Sequence, residues 1–221
     1  MIEEHHIPVQ RTARYYTLGT LSEKTRRVWV VLHGYGQLAQ HFIRRFDVVA
    51  DEETLVIAPE GLSRFYTDQQ AGKVGASWIT REERDHEVVD YVAYLDQVLA
   101  TVLADRSLDR FEITLMGFSQ GASTVCRWLE KSELLRAKRL VLWAGFFPNG
   151  LSDVLRPETV AGMSVEYVYG LDDDYISHLP DVEQYLHRLV NDIPHLQLIP
   201  FSGKHVVDRV VLQSLLSSTS Q

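Results

Sequence analysis

Along this chain short runs of β-branched and aliphatic residues alternate with stretches whose apolar side chains recur every three or four positions. A strand followed by a helix cannot fold straight back on its neighbour; the helix returns the chain to the same edge, and the next strand pairs in parallel. Parallel sheets are covered on both faces, so their strands read as continuous apolar runs. RRVWVVLHG (26–34) and TLVIAPEG (54–61) have that character and close on glycine or proline. FEITLM (111–116), RLVLWAG (139–145), VEYVYG (165–170) and LQLIPF (196–201) follow. Between them Val88, Tyr91, Leu95, Val98 and Val102 line one face of a helix predicted over 81–104, with Thr80 and Glu83 as its capping box. Further helices are predicted over 120–135, 181–190 and 206–216. The expected architecture is α/β, a mostly parallel open sheet with helices on both faces. The first 20 residues, with ARYYTLG, offer an antiparallel edge strand or hairpin. Residues 61–80 read as a long polar loop, and so long a loop in a compact domain is usually functional or mobile.

A chain of 221 residues can build one sizeable core, and no linker composition interrupts it, so a single domain over 1–221 is expected. With 22 basic and 30 acidic side chains the net charge is -8. That balance excludes nucleic acid, whose phosphates need a basic face, and electrostatic docking on anionic lipid. Cys126 is the only cysteine, so no intrachain disulfide can form; it reads as a small buried apolar residue. No apolar run approaches the ~20 residues that span a bilayer, so no stable membrane insertion is expected. MIEEHHIPVQ has neither the basic start nor the apolar core of a signal peptide, and a cytoplasmic location is the expectation.

The chemistry gathers around LMGFSQGAS (115–123), where a strand runs through Gly-Phe-Ser-Gln-Gly into a helix. Such a turn forces Ser119 into a strained backbone conformation, and Gly117 and Gly121 remove the side chains that would collide there. At a helix N-terminus the dipole and free N–H groups favour a developing anion. A serine hydroxyl needs a histidine to take its proton and a carboxylate to fix that histidine's tautomer. Among the downstream histidines, His187 falls in a predicted helix and His195 precedes a strand. His205, in FSGKHVV after the last strand, is best placed, with His178 as its rival. The turn YGLDDDYI offers Asp172, Asp173 or Asp174 as the acid. No second carboxylate or histidine cluster turns that triplet into a metal site, and neither metal nor cofactor is expected.

VVLHGYGQLAQ admits two readings. As an oxyanion loop it supplies the backbone N–H of Tyr35 to act with that of Gln120. As G-x-G-x-x-A after a strand, through Gly34, Gly36 and Ala39 with Glu60 beyond, it is a dinucleotide-binding fingerprint. The second reading leaves GFSQG, GLDDDYI and SGKH without roles, so the first ranks higher. A non-catalytic binding protein on the same fold is the other alternative.

These segments resemble the α/β-hydrolases of the acyl-protein thioesterase and carboxylesterase (phospholipase/carboxylesterase) family: HGYG its HG-x-G oxyanion segment, GFSQG its G-x-S-Q-G elbow, GLDDDYI its acid loop, GKHVV its histidine loop. The match runs in order from about residue 27 to the end. The resemblance implies an α/β-hydrolase fold with no large lid and hydrolysis of a small-molecule or acyl-group ester or thioester through an acyl-enzyme on Ser119. It selects Asp173 as the acid beside His205. Two segments depart: ASWITREERDHEVVDYVAYLD only loosely follows the family's tryptophan loop, and the glycines before the histidine are thinned to SGKH. Phe118, Trp78 and Phe146 are candidates for the substrate pocket, with core packing as the alternative for Trp78, Phe146 and Phe147. His33 reads as a brace for the oxyanion loop. The charges from Arg81 to Glu87 read as a solvated helix start or a rim that repels anions.

Overall fold

The computed structural model describes residues 1–104 and 106–217; Asp105 and residues 218–221, part of the expected 1–221 span, lie outside the described residues. The strands are β1 (Tyr15–Leu18), β2 (Arg27–Leu32), β3 (Thr54–Pro59), β4 (Ser63–Asp68), β5 (Lys73–Ser77), β6 (Glu112–Phe118), β7 (Arg139–Trp143), β8 (Ser164–Gly170) and β9 (Gln197–Phe201). The helices are α1 (Ala39–Phe42), α2 (Arg84–Leu103), α3 (Gln120–Lys131), α4 (Asp174–Ser177), α5 (Val182–Asp192) and α6 (Arg209–Ser217), with short 3₁₀ turns between.

Seven strands form one sheet in the order β1-β3-β2-β6-β7-β8-β9. Every pairing is parallel except that of β1 with β3, which supplies the antiparallel edge expected from ARYYTLG. Because side chains alternate across a strand, each apolar run feeds two cores. Val28, Val30 and Leu32 join Ile113, Leu115, Leu140 and Leu142 beneath α2, α3 and α5. Trp29 and Val31 join Met116, Phe118, Val141 and Trp143 against α1, the following 3₁₀ turn and α6. A buried ion pair fastens the second layer: Arg139 donates to Glu166 at 2.8 and 2.9 Å and to the Leu215 carbonyl at 2.9 Å, joining β7, β8 and α6.

The strand order reverses between β2 and β6, the place where an open α/β sheet leaves a crevice beyond its carboxyl ends. Leu32 pairs with Gly117, so the turn after β2 and the elbow after β6 emerge side by side.

Two expectations need correction. Residues 61–80 are a hairpin of β4 and β5, in which Phe65 faces Gly75 and Tyr66 faces Val74. Its backbone is satisfied by the antiparallel ladder and by Gly36 and Gln37, to which Ala76 is bonded through its carbonyl and amide at 2.9 and 3.0 Å. The Thr80–Glu83 capping box does not form. Glu83 lies at φ 52 outside the helix, which starts at Arg84, and Thr80 turns its amide and hydroxyl to Glu87 one turn further on. The left-handed residue ends the connecting turn and moves the helix start past the expected partner.

Candidate active site

Ser119 joins β6 to α3 at φ 54, ψ -117. A non-glycine residue there costs on the order of 1–3 kcal/mol and persists only where its surroundings fix it. They do: the Ser119 amide donates to the Trp143 carbonyl at 2.8 Å, and the Ser119 carbonyl accepts from Ala122 at 3.0 Å. A Cβ on Gly117 would lie 2.2 Å from the Gly121 carbonyl oxygen, and one on Gly121 2.3 Å from that of Leu32. Both contacts are with backbone, which cannot move aside, so the tight turn needs glycine on each side of the serine.

His205 sits in the turn between β9 and α6. Its Nε2 lies 2.9 Å from Ser119 Oγ and its Nδ1 2.7 Å from Asp173 Oδ2, so one hydrogen-bonded chain runs through the three side chains. Asp173 is fully buried and its Oδ1 accepts the Tyr175 amide at 2.9 Å. The acid turn and the histidine turn are locked together: Asp172 N donates to the Gly203 carbonyl at 3.0 Å, and a Cβ on Gly170 would lie 2.2 Å from that same oxygen. The Trp143 indole donates to Val206 O at 2.9 Å, tethering the histidine turn to β7. The Phe118 and Tyr175 rings flank the imidazole at 4.9 and 4.7 Å. The other candidates stay apart: Asp172, Asp174, His178, His187 and His195 are exposed, and His178 caps its own turn through Asp174 O.

Beside the elbow, Gly34 packs so closely that an added Cβ would lie 3.0 Å from the Phe118 ring and 3.2 Å from Ser119 Cβ. Gly34 N donates to the Gln37 side chain, Gly36 N to Ala76 O and Gln37 N to Gly34 O. The Tyr35 amide has no acceptor among the described residues, and its ring is exposed and stacked 5.0 Å from Phe65. The Gln120 amide opens α3, where first-turn N–H groups lack intrahelical partners.

His33 is the brace expected of it. It is wholly buried; Nε2 accepts the Gly61 amide at 3.0 Å, which assigns the proton to Nδ1, and Nδ1 donates to Gly34 O at 2.8 Å. Burial pushes its pKa below the ordinary 6.5, against a smaller upward pull from the Gly34 carbonyl. Because the folded pKa is depressed, the unfolded chain binds the proton first as pH falls. The stability held by neutral His33 is therefore complete above about 6.5 and is lost on acidification toward the folded value. Urea unfolding is expected to show a stability slope of up to ~1.4 kcal/mol per pH unit from this group below about pH 6.5, missing in His33→Gln. Equal slopes in the two proteins would contradict the assignment.

Trp78 and Phe118 are buried, whereas Phe146 is exposed and stacks 5.9 Å from Tyr185 at the end of β7. Trp78 Nε1 donates to His33 O at 2.8 Å, so its indole packs into the core and holds the turn after β2. Sequence reasoning missed the Gln120 side chain. Its Oε1 accepts the Trp78 amide at 3.0 Å and its Nε2 donates to Ile79 O at 2.9 Å, clamping the exit of β5 to the elbow. Cys126 is buried, and burial pushes its thiol pKa well up, consistent with an inert packing residue.

The dinucleotide reading is overturned here. GYGQLA opens a helix of only 4 residues. Glu60 is buried with Oε1 paired to Arg14 at 2.6 Å and Oε2 accepting Ala39 N at 3.2 Å, which leaves it no freedom to hold a ribose.

A mostly parallel seven-stranded sheet, an elbow serine at the switch point and acid and histidine turns after later strands define an α/β-hydrolase without a large lid domain. The chain belongs to the phospholipase/carboxylesterase family, whose profile matches residues 19–221. Among solved structures it is similar to Zea mays acyl-protein thioesterase 2 (TM-score 0.67, 15% identity, 94% of this chain and 99% of that one). It is also similar to the Bacillus cereus carboxylesterase (TM-score 0.61, 17% identity, 93% and 92%). A third likeness is to esterase PE8 (TM-score 0.57, 21% identity, 94% and 99%). No curated protein matches the chain. Among the described residues no helix is long and apolar enough to cross a membrane.

Proposed function

We propose that the protein hydrolyses carboxylic esters or thioesters of small molecules or acyl groups through an acyl-enzyme on Ser119. The observation that carries this reading is the continuous hydrogen-bonded chain from Ser119 Oγ through His205 to buried Asp173. His205 Nε2 takes the serine proton as Oγ attacks the acyl carbon, and the oxyanion that forms accepts from the amides of Tyr35 and Gln120. His205 then gives the proton to the departing alkoxide or thiolate. Water, activated by the same nitrogen, releases the acid, while Asp173 remains ionised and holds Nδ1–H. Exposed Phe146 beyond β7 contributes an apolar wall to the substrate cleft. Phe118 and Trp78 shape that cleft from behind, the first through His205 and the second through the oxyanion turn.

A fluorophosphonate, which reacts only with an activated serine, is expected to label the wild-type chain and to leave Ser119→Ala unlabelled. Labelling that persists in the alanine variant would remove Ser119 from the mechanism. No labelling and no turnover of short p-nitrophenyl esters by the wild type would leave a binding protein on a hydrolase fold.

A further inference from the structure

The fold brings one of the histidines near the start of the chain to a second histidine and a shared carboxylate. His6 Nε2 lies 3.0 Å from Glu83 Oε2, and His86 Nδ1 lies 2.6 Å from the same oxygen. The three ligand atoms all fall within 4.8 Å of one another, and the two imidazole rings stand 4.4 Å apart. Glu4 Oε1 is 3.1 Å from His6 Nε2, a fourth donor at the same point.

We propose that His6, Glu83 and His86 form a divalent transition-metal site, with zinc its best-suited occupant and Glu4 or water completing the coordination. Two imidazole nitrogens and a carboxylate oxygen suit zinc, copper or nickel and not magnesium or calcium, which take oxygen donors. Zinc bonds of about 2.0–2.1 Å to nitrogen and 2.0–2.2 Å to oxygen set tetrahedral donors roughly 3.4 Å apart. The donors here stand at 2.6 and 3.0 Å for the two histidine–carboxylate pairs and all within 4.8 Å, so the exposed side chains must open slightly around an ion. The charge also fits. Glu83 and Glu4 offset the ion, and Asp85 and Asp90 close to His86 counter the unfavourable positive end of the α2 dipole.

Beside the bond from Tyr94 in α2 to the Arg14 carbonyl, the site would give the start of the chain a second tie to this helix. Residues 1–14 form neither helix nor strand. Glu83 lies at φ 52, the turn that brings its carboxylate and His86 onto one side of the helix start. A bound ion would fasten this N-terminal segment to α2, independently of Ser119 and its partners.

Calorimetric titration of the full, chelator-treated chain with zinc chloride tests the site. One ion per chain is expected, with His6→Ala and His86→Ala each weakening binding by about tenfold or more, since even indirect partners of a ligand matter that much. His187→Ala, exposed on α5, should bind as the wild type does, and magnesium chloride should give no saturable heat. Zinc should also raise the unfolding temperature of the wild type and not of the two variants. Absence of saturable zinc binding, one ion per two chains, or binding that survives loss of either histidine would overturn the proposal.

Discussion

Ser119→Ala is expected to lower kcat/KM for a short-chain ester by about 10⁴-fold or more while leaving the fold intact. The size follows from what alanine removes. In the proposed mechanism the hydroxyl oxygen bonds to the acyl carbon, so its loss deletes the covalent route and leaves His205 Nε2 without its hydrogen-bond partner. The Tyr35 and Gln120 amides, the proposed oxyanion donors, remain to polarise a bound carbonyl, so a residual rate above that of water is expected. The left-handed backbone at position 119 is equally available to alanine, and the glycines that permit the turn are unchanged. The variant should therefore unfold at nearly the wild-type temperature, which separates lost chemistry from lost structure. A variant that keeps most of its turnover would mean that another nucleophile carries the reaction.

Asp173→Asn is expected to cost a thousandfold or more in turnover, whereas Asp172→Asn and Asp174→Asn should cost little (~1,000-fold as the order of magnitude for the first). Asp173 accepts hydrogen bonds at both oxygens, one from the Tyr175 amide and one from His205 Nδ1–H. Asparagine has a single acceptor oxygen. If that oxygen keeps the Tyr175 N–H, its amide group points at Nδ1, which must then accept and push the imidazole proton to Nε2. Nε2 in that tautomer cannot take a proton from Ser119. Asp172 and Asp174 are exposed and point no carboxylate at the histidine, so their neutralisation changes only the solvated charge of the turn. Kinetics of the three variants with one ester decide the matter, and a crippled Asp172→Asn with an active Asp173→Asn would shift the acid by one position.

The parts of the fold legible in sequence are those governed by local pattern. Strands buried on both faces, such as RVWVVL and TLVIAP, announce themselves because every side chain must be apolar. The GFSQG elbow is legible because steric exclusion at Gly117 and Gly121 leaves one acceptable residue type. Illegible features depend on partners distant in the chain. The β4–β5 hairpin is mostly polar and exposed, and what fixes it is the bond of Ala76 to Gly36 and Gln37. Phe65 and Tyr66, with Gly72 at φ 64 in the turn, were the available signal for it. The Gln120 clamp bridges 42 positions to Trp78, and nothing in the local sequence distinguishes it from any polar residue at a helix start. His205 and Ser119 are 86 positions apart. Order and resemblance selected them; the packing of the acid turn on the histidine turn sets their distance.

The most direct measurement is to trap the intermediate itself. The protein is mixed with a slowly deacylated p-nitrophenyl ester, quenched in acid and mapped by peptide mass spectrometry. The expected result is one acyl group on the Ser119 hydroxyl, formed in the wild type and absent in His205→Ala over the same interval. Acylation of a different residue, or of Ser119 at an equal rate without His205, would contradict the account.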